Sequence, residues 1–208
     1  MIISHSLKCI FIAIPKTATH AIRNGLRPYL SDKDEEQVGL FEKKQFSDPE
    51  IAEIKHGHIT CQQLKKSIGE DTWNSYYKFS IVRNPFDRFV SYCAFMFKNN
   101  PSFHQNPQNF MHNVLLDEKQ KEHILFKPQH EFIFDQKDKL QIDYLGKYEN
   151  LQTSFNHICN QIGIEKNKLI KINASKHLSY KNYYNKELKE LVLEVYKKDF
   201  NLLNYLEA

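Results

Sequence analysis

The chain has 208 residues, 41% of them hydrophobic, enough to close one core but not a second, so residues 1–208 are expected to form a single domain. Against 29 Lys and Arg stand 25 Asp and Glu, a formal charge of +4 that is scattered rather than gathered in an arm or stripe, which argues against a nucleic-acid partner. Cys9, Cys61, Cys93 and Cys159 show no metal or redox spacing and read as reduced thiols, and the longest apolar run, Cys9 to Ile14, is far short of the roughly 20 residues of a membrane span.

The first element is the unbroken β-prone run Lys8 to Ile14, the pattern of a parallel strand covered on both faces, and Pro15 stops it. Ala21, Ile22 and Leu26 then recur at helical spacing, predicting a helix from Thr17 to Leu26 with Gly25 and Pro28 at its end. The acidic stretch Asp32 to Glu36 reads as a solvated loop. A second buried-type strand spans Tyr76 to Val82. Asn84 is placed to cap the next helix, Pro85 suits its first position, and Phe89, Val90, Cys93, Ala94 and Phe97 give it an apolar stripe.

Asn99 to Pro107 reads as a loop, followed by a helical stretch through Phe110, Val114 and Leu115. A further strand is expected over Leu140 to Tyr144, then helices over Leu151 to Ile162 and Lys186 to Leu206. Strands alternating with helices predict an α/β fold in which a parallel sheet is flanked by helices and ligands bind at the strand carboxyl ends.

Three constellations could carry chemistry. Ile14-Pro15-Lys16-Thr17-Ala18-Thr19-His20 joins a buried strand to a helix N-terminus, where backbone N–H groups and the helix dipole favour an anion and Lys16 adds a mobile charge. It is not a Walker A loop, because GxxxxGK[ST] is absent, and this argues against a nucleotide-dependent kinase. Arg83 stands at the end of a strand and Ser91 on the helix after it, so that a guanidinium and a hydroxyl could meet one phosphate. The competing structural readings are an Arg83–Asp87 ion pair and a small-residue helix contact at Ser91. In His56-Gly57-His58 two imidazoles flank a glycine without a third ligand at metal-site spacing, so no metal is expected and a proton acceptor is the chemical alternative to a structural role.

The segment Ile81-Val82-Arg83-Asn84-Pro85-Phe86-Asp87-Arg88-Phe89-Val90-Ser91-Tyr92 resembles the 3′-phosphate-binding segment of sulfotransferases that use 3′-phosphoadenosine 5′-phosphosulfate (PAPS), and PKTATHAI resembles their 5′-phosphosulfate loop. The resemblance continues through FKPQHEFI, YLGKYENLQTSF and NASKHLSYKNYY. It is nearest to carbohydrate sulfotransferases of the heparan sulfate 2-O type, which carry the same His-Gly-His before the 3′-phosphate segment. The resemblance implies a P-loop-NTPase-like sheet, with Lys16, Thr17, Ala18 and Thr19 on the 5′ end of the donor and Arg83 with Ser91 on its 3′-phosphate. His20, also a candidate for binding the donor, stands where the family usually has a second small hydroxyl residue. The resemblance further implies His58 as the base, His56 orienting it or touching the acceptor, and Lys176 with His177 in a loop closing over the nucleotide.

The expected activity is therefore sulfuryl transfer from PAPS to an acceptor hydroxyl, most simply that of a glycan, without a metal. The alternative is a non-catalytic module that binds a phosphonucleotide or glycan. With no signal-peptide pattern or membrane span, the chain is expected to be soluble and cytoplasmic, or lumenal in the Golgi if excised from a longer protein. Nothing in the sequence points to a particular oligomeric state.

Overall fold

The structure, a computed structural model, describes residues 1–36, 46–170 and 178–205. In chain order its elements are β1 (Ile2–Ser4), β2 (Cys9–Ile12), α1 (Thr19–Leu26), β3 (Glu35–Glu36), α2 (Pro49–Ala52), α3 (Cys61–Ile68), α4 (Glu70–Ser75), β4 (Tyr77–Val82), α5 (Pro85–Met96), α6 (Pro101–Gln105), α7 (Pro107–Leu116), α8 (Glu118–Lys121), α9 (His130–Ile133), β5 (Tyr144–Lys147), α10 (Leu151–Ile162), α11 (Lys186–Val195) and α12 (Lys197–Leu202). The chain divides into two compact units, Met1–Val82 with Glu131–Ile172, and Arg83–His130 with Asn173–Ala208.

The first unit holds the sheet, in the order β3-β1-β2-β4-β5. Its centre is parallel, as expected: Cys9 pairs with Tyr77 and Ile12 with Ser80, while Phe79 pairs with Tyr144 and Val82 with Lys147. Every residue of β2 is buried, which explains the absence of alternation in that run. Each of its isoleucines contributes about 1.5–3 kcal/mol by leaving water. Helix α10 packs on β4 and β5. Its approach requires Gly146, where a Cβ would lie 2.6 Å from Ile81 Cδ1 and 2.8 Å from Ser154 Cβ.

Several expectations change. Two short antiparallel pairings, β1 with β2 and β1 with β3, extend the sheet at one side. The acidic stretch is solvated only in part: Asp32 is exposed, but Asp34 and Glu36 are only 3% and 5% exposed. Asp34 accepts hydrogen bonds from the Ser4 and Ser6 hydroxyls (2.9 and 2.7 Å) and from the backbone N–H groups of His5, Ser6 and Ser31. Burial pushes its pKa up, but these bonds prevail and hold it at about 2. Glu36 is gripped by Arg27, with Nη2 at 3.0 Å. The last strand lies at Tyr144–Lys147, since Leu140 makes only an isolated bridge to Phe134. Finally, the expected loop from Asn99 to Pro107 contains α6, begun by Pro101 behind an Asn100 cap.

The second unit is helical among its described residues. Helix α11 packs on α5 and α7, and Phe89, Tyr92, Phe126 and Tyr196 form an aromatic cluster. The expected tail helix is two helices, interrupted at Tyr196, whose φ of −108° and ψ of 23° leave the helical region. Among the described residues no helix is long and apolar enough to cross a membrane. The four cysteines are free and buried, and burial raises each thiol pKa, as expected of structural thiols.

Candidate functional site

In the first unit the chain leaves β2 through buried Ala13 and Ile14 and enters α1 after Ala18. Lys16 and Ala18 both have φ near 66°, a left-handed conformation that side-chain-bearing residues adopt only rarely. The Thr17 hydroxyl donates 2.9 Å to the Ile14 carbonyl and fastens this tight turn from inside. Ala18, at the cap position, has no side-chain acceptor to offer, so α1 begins without a side-chain cap. Such a turn at the positive end of a helix is a concavity suited to an oxyanion. Cations gather around it: His20 is kept below the ordinary histidine pKa by burial first and then by Arg23, Arg27 and Lys16. His20 is therefore neutral at pH 7.

His58 is tied to the same segment. Its Nδ1 lies 2.8 Å from the Ala13 carbonyl oxygen, which only accepts, so Nδ1 carries the proton. In the neutral ring the lone pair is then on Nε2, for which no hydrogen bond exists among the described residues. Burial lowers the His58 pKa well below 6.5; the Ala13 bond opposes this, while positive charge at Arg23 and His56 adds to it. The result is a neutral imidazole with its basic nitrogen defined, held to Ala13, which lies three residues before Lys16 in the chain. His56 Nδ1 accepts from the His58 backbone N–H at 3.4 Å, and the two rings stand 6.2 Å apart at 29°. His56 thus touches the backbone of His58, not its imidazole nitrogens.

The glycine between the histidines makes room for Arg23. A Cβ on Gly57 would collide with Arg23 Nη2 and sit 3.2 Å from Cζ. Arg23 is 5% exposed, with Nε 3.9 Å from Glu36. Sequence reading passed over it, although Thr19, Ile22, Arg23 and Leu26 fall on one helical face and an arginine on that face asks for an acidic partner.

The second unit carries Arg83, Asp87 and Ser91 at successive intervals of four. Asn84 accepts from the Phe86 N–H at 2.9 Å and starts α5 with Pro85 at its first position, as expected. Arg83 Nε donates to Asp87 at 2.8 Å with both groups largely buried, so the ion pair offered as the structural reading is present. It fixes the direction of the guanidinium rather than excluding an anion. Ser91 is buried on the same helix. Arg88, the other arginine of this segment, is 2% exposed, donates to the Leu125 and Lys127 carbonyls and lies over the Tyr196 ring. Its work is structural. Lys176 and His177 lie outside the described residues.

Among the described residues no group of three or more His, Cys, Asp or Glu side chains is arranged to hold a metal ion.

A family model described as "Sulfotransferase family" matches residues 1–206. Among solved structures, the crystal structure of mouse sulfotransferase SULT7A1 complexed with PAP is similar in fold, with a TM-score of 0.55 and 16% sequence identity, covering 97% of this chain and 89% of that one. No curated protein matches the chain.

Proposed function

This chain belongs to the sulfotransferase family, and we propose that it transfers a sulfuryl group from PAPS to a hydroxyl of a carbohydrate, all of residues 1–208 serving as one catalytic domain. The observation that carries this reading is the fixed tautomer of His58. A hydroxyl becomes a good nucleophile as its proton is removed, and a neutral imidazole with Nδ1–H held by a carbonyl offers Nε2 for that purpose.

In the proposed reaction the acceptor oxygen attacks sulfur, the new S–O bond forms as the bond to the 5′-phosphate oxygen breaks, and the electron pair departs with adenosine 3′,5′-bisphosphate (PAP). His58 Nε2 takes the hydroxyl proton, and His56 orients His58. Lys16 and the N–H groups from Thr17 to His20, with Ala18 and Thr19 allowing close approach, stabilise the charge that grows on the leaving oxygen. The uncapped start of α1 and the cations around His20 suit a polyanionic donor. Arg83 and Ser91 are assigned to the 3′-phosphate, supported by the orientation that Asp87 imposes on Arg83. Lys176 is assigned to the nucleotide on sequence alone. No metal enters these steps.

The glycan acceptor rests on the His-Gly-His segment and its likeness to 2-O-sulfating enzymes. The PAP bound to the mouse sulfotransferase supports a donor of this type. Four reduced, buried cysteines suit the cytoplasm.

The test is incubation with sulfur-labelled PAPS and a panel of glycans, lipids and phenols, with Lys16→Ala as the blank. Label on a glycan hydroxyl is the expected result. Binding of PAP without transfer to any acceptor would instead identify a non-catalytic binding module.

A further inference from the structure

Beyond the residues expected to touch the donor, we infer that Gln129 is a positioning residue for Arg83, an inference that rests on the assignment of Arg83 to the 3′-phosphate. Arg83 is the first residue after β4, where the ladder to β5 has ended at Val82. Buried backbone N–H and C=O groups at such a strand end require hydrogen-bond partners. Gln129 supplies both. Its Oε1 accepts from the Arg83 N–H at 2.9 Å, and its Nε2 donates to the Arg83 carbonyl at 2.8 Å. One carboxamide thereby does what a residue of a neighbouring strand would do.

Gln129 is itself fully buried and held from several sides. Its backbone N–H donates to Asp199 Oδ2 at 2.7 Å, and Asp199 Oδ1 receives the His130 N–H at 2.8 Å and faces His130 Nδ1 at 2.7 Å. Just before it, the carbonyls of Leu125 and Lys127 are taken by Arg88 and that of Phe126 by the Tyr196 hydroxyl. The segment Leu125 to His130 is thus clamped by α5, by α12 and by the residue that precedes α12. Its rigid product is the carboxamide on Arg83. With the backbone pinned by Gln129 and Nε pinned by Asp87, the guanidinium has a defined position before any ligand arrives, and pre-ordering of this kind saves a binding site the cost of arranging itself.

The test compares two nucleotides that differ at one group: PAP and adenosine 5′-monophosphate, which lacks the 3′-phosphate. Gln129→Leu, of similar volume, removes both bonds to the Arg83 backbone and is expected to weaken PAP binding about tenfold or more, the scale of losing buried hydrogen bonds. The affinity for the monophosphate should stay within about twofold of the parent protein. Gln129→Glu keeps the shape and the acceptor but has no N–H to donate when ionised; it should lose PAP affinity in the same selective way and decides the matter if the leucine variant does not fold. Unchanged PAP affinity, or an equal loss for both nucleotides, would overturn the inference, since a purely structural defect does not sense the 3′-phosphate. Arg83→Ala measured alongside separates the two claims. If that variant also binds both nucleotides like the parent, the assignment of Arg83 has failed; if it loses PAP selectively while the Gln129 variants do not, only the role of Gln129 has.

Discussion

A single hydrogen bond, from His58 Nδ1 to the Ala13 carbonyl, determines which nitrogen of the proposed base is basic. Its consequence for pH has a definite sign. The proposed base works as the neutral ring, and because the free folded protein holds the His58 pKa below 6.5, the acid limb of a kcat/KM profile should fall below pH 6.5, with activity level across neutrality. A limb centred above pH 7 would contradict this. Gly57 has a consequence of its own. Gly57→Ala forces the buried Arg23 guanidinium away and should destabilise the fold by about 1–3 kcal/mol, as overpacking does. Arg23→Met added to it, which removes the colliding nitrogen, should recover part of that loss in a urea titration; strict additivity would show that the collision is not the cause. Arg23 escaped sequence reading because its role depends on Gly57 and Glu36, 34 and 13 positions away along the chain. Gln129 lay within a quoted motif without a role for the same reason: its partner is the backbone of Arg83, and backbone partners leave no mark on residue type.

At the scale of elements, the central strands and the helices after them were legible from short-range physics: unbroken apolar runs for β2 and β4, an Asn-Pro start for α5, and a regular stripe whose limits coincide with α10 at Leu151–Ile162. What could not be read was long-range pairing. Nothing in Asp32 to Glu36 announces a buried carboxylate until β1 and the turn after it bring Ser4, His5 and Ser6 to Asp34. Leu140 similarly looked like a strand residue, yet the pairing to β4 begins at Tyr144. In Asn99 to Pro107, the polar composition outweighed the Asn100–Pro101 helix start, a signal that was present. The Asp34 cluster makes a prediction at this scale. Its carboxyl is held at about 2 against an ordinary value of 3.8, so its stabilising effect is complete above pH 3.8 and is lost as pH falls through about 2. Asp34→Asn should cost about 1–3 kcal/mol at pH 7, and the gap from the parent protein should close toward pH 2. A gap of the same size at both pH values would show that the charge is not what holds the cluster.

For the molecule as a whole, the match over residues 1–206 establishes the family, and the sequence motifs had already pointed to it through the 3′-phosphate segment and the strand-to-helix loop. The central claim concerns chemistry: that this chain transfers sulfuryl groups and that His58 is the base. The most direct measurement is the rate of sulfur label transfer from PAPS by His58→Ala, made alongside its affinity for PAP. The expected outcome is a fall in kcat of about 10²–10⁴, the usual contribution of a general base, with PAP binding unchanged. Full transfer activity in the variant, with PAP still bound normally, would contradict the account.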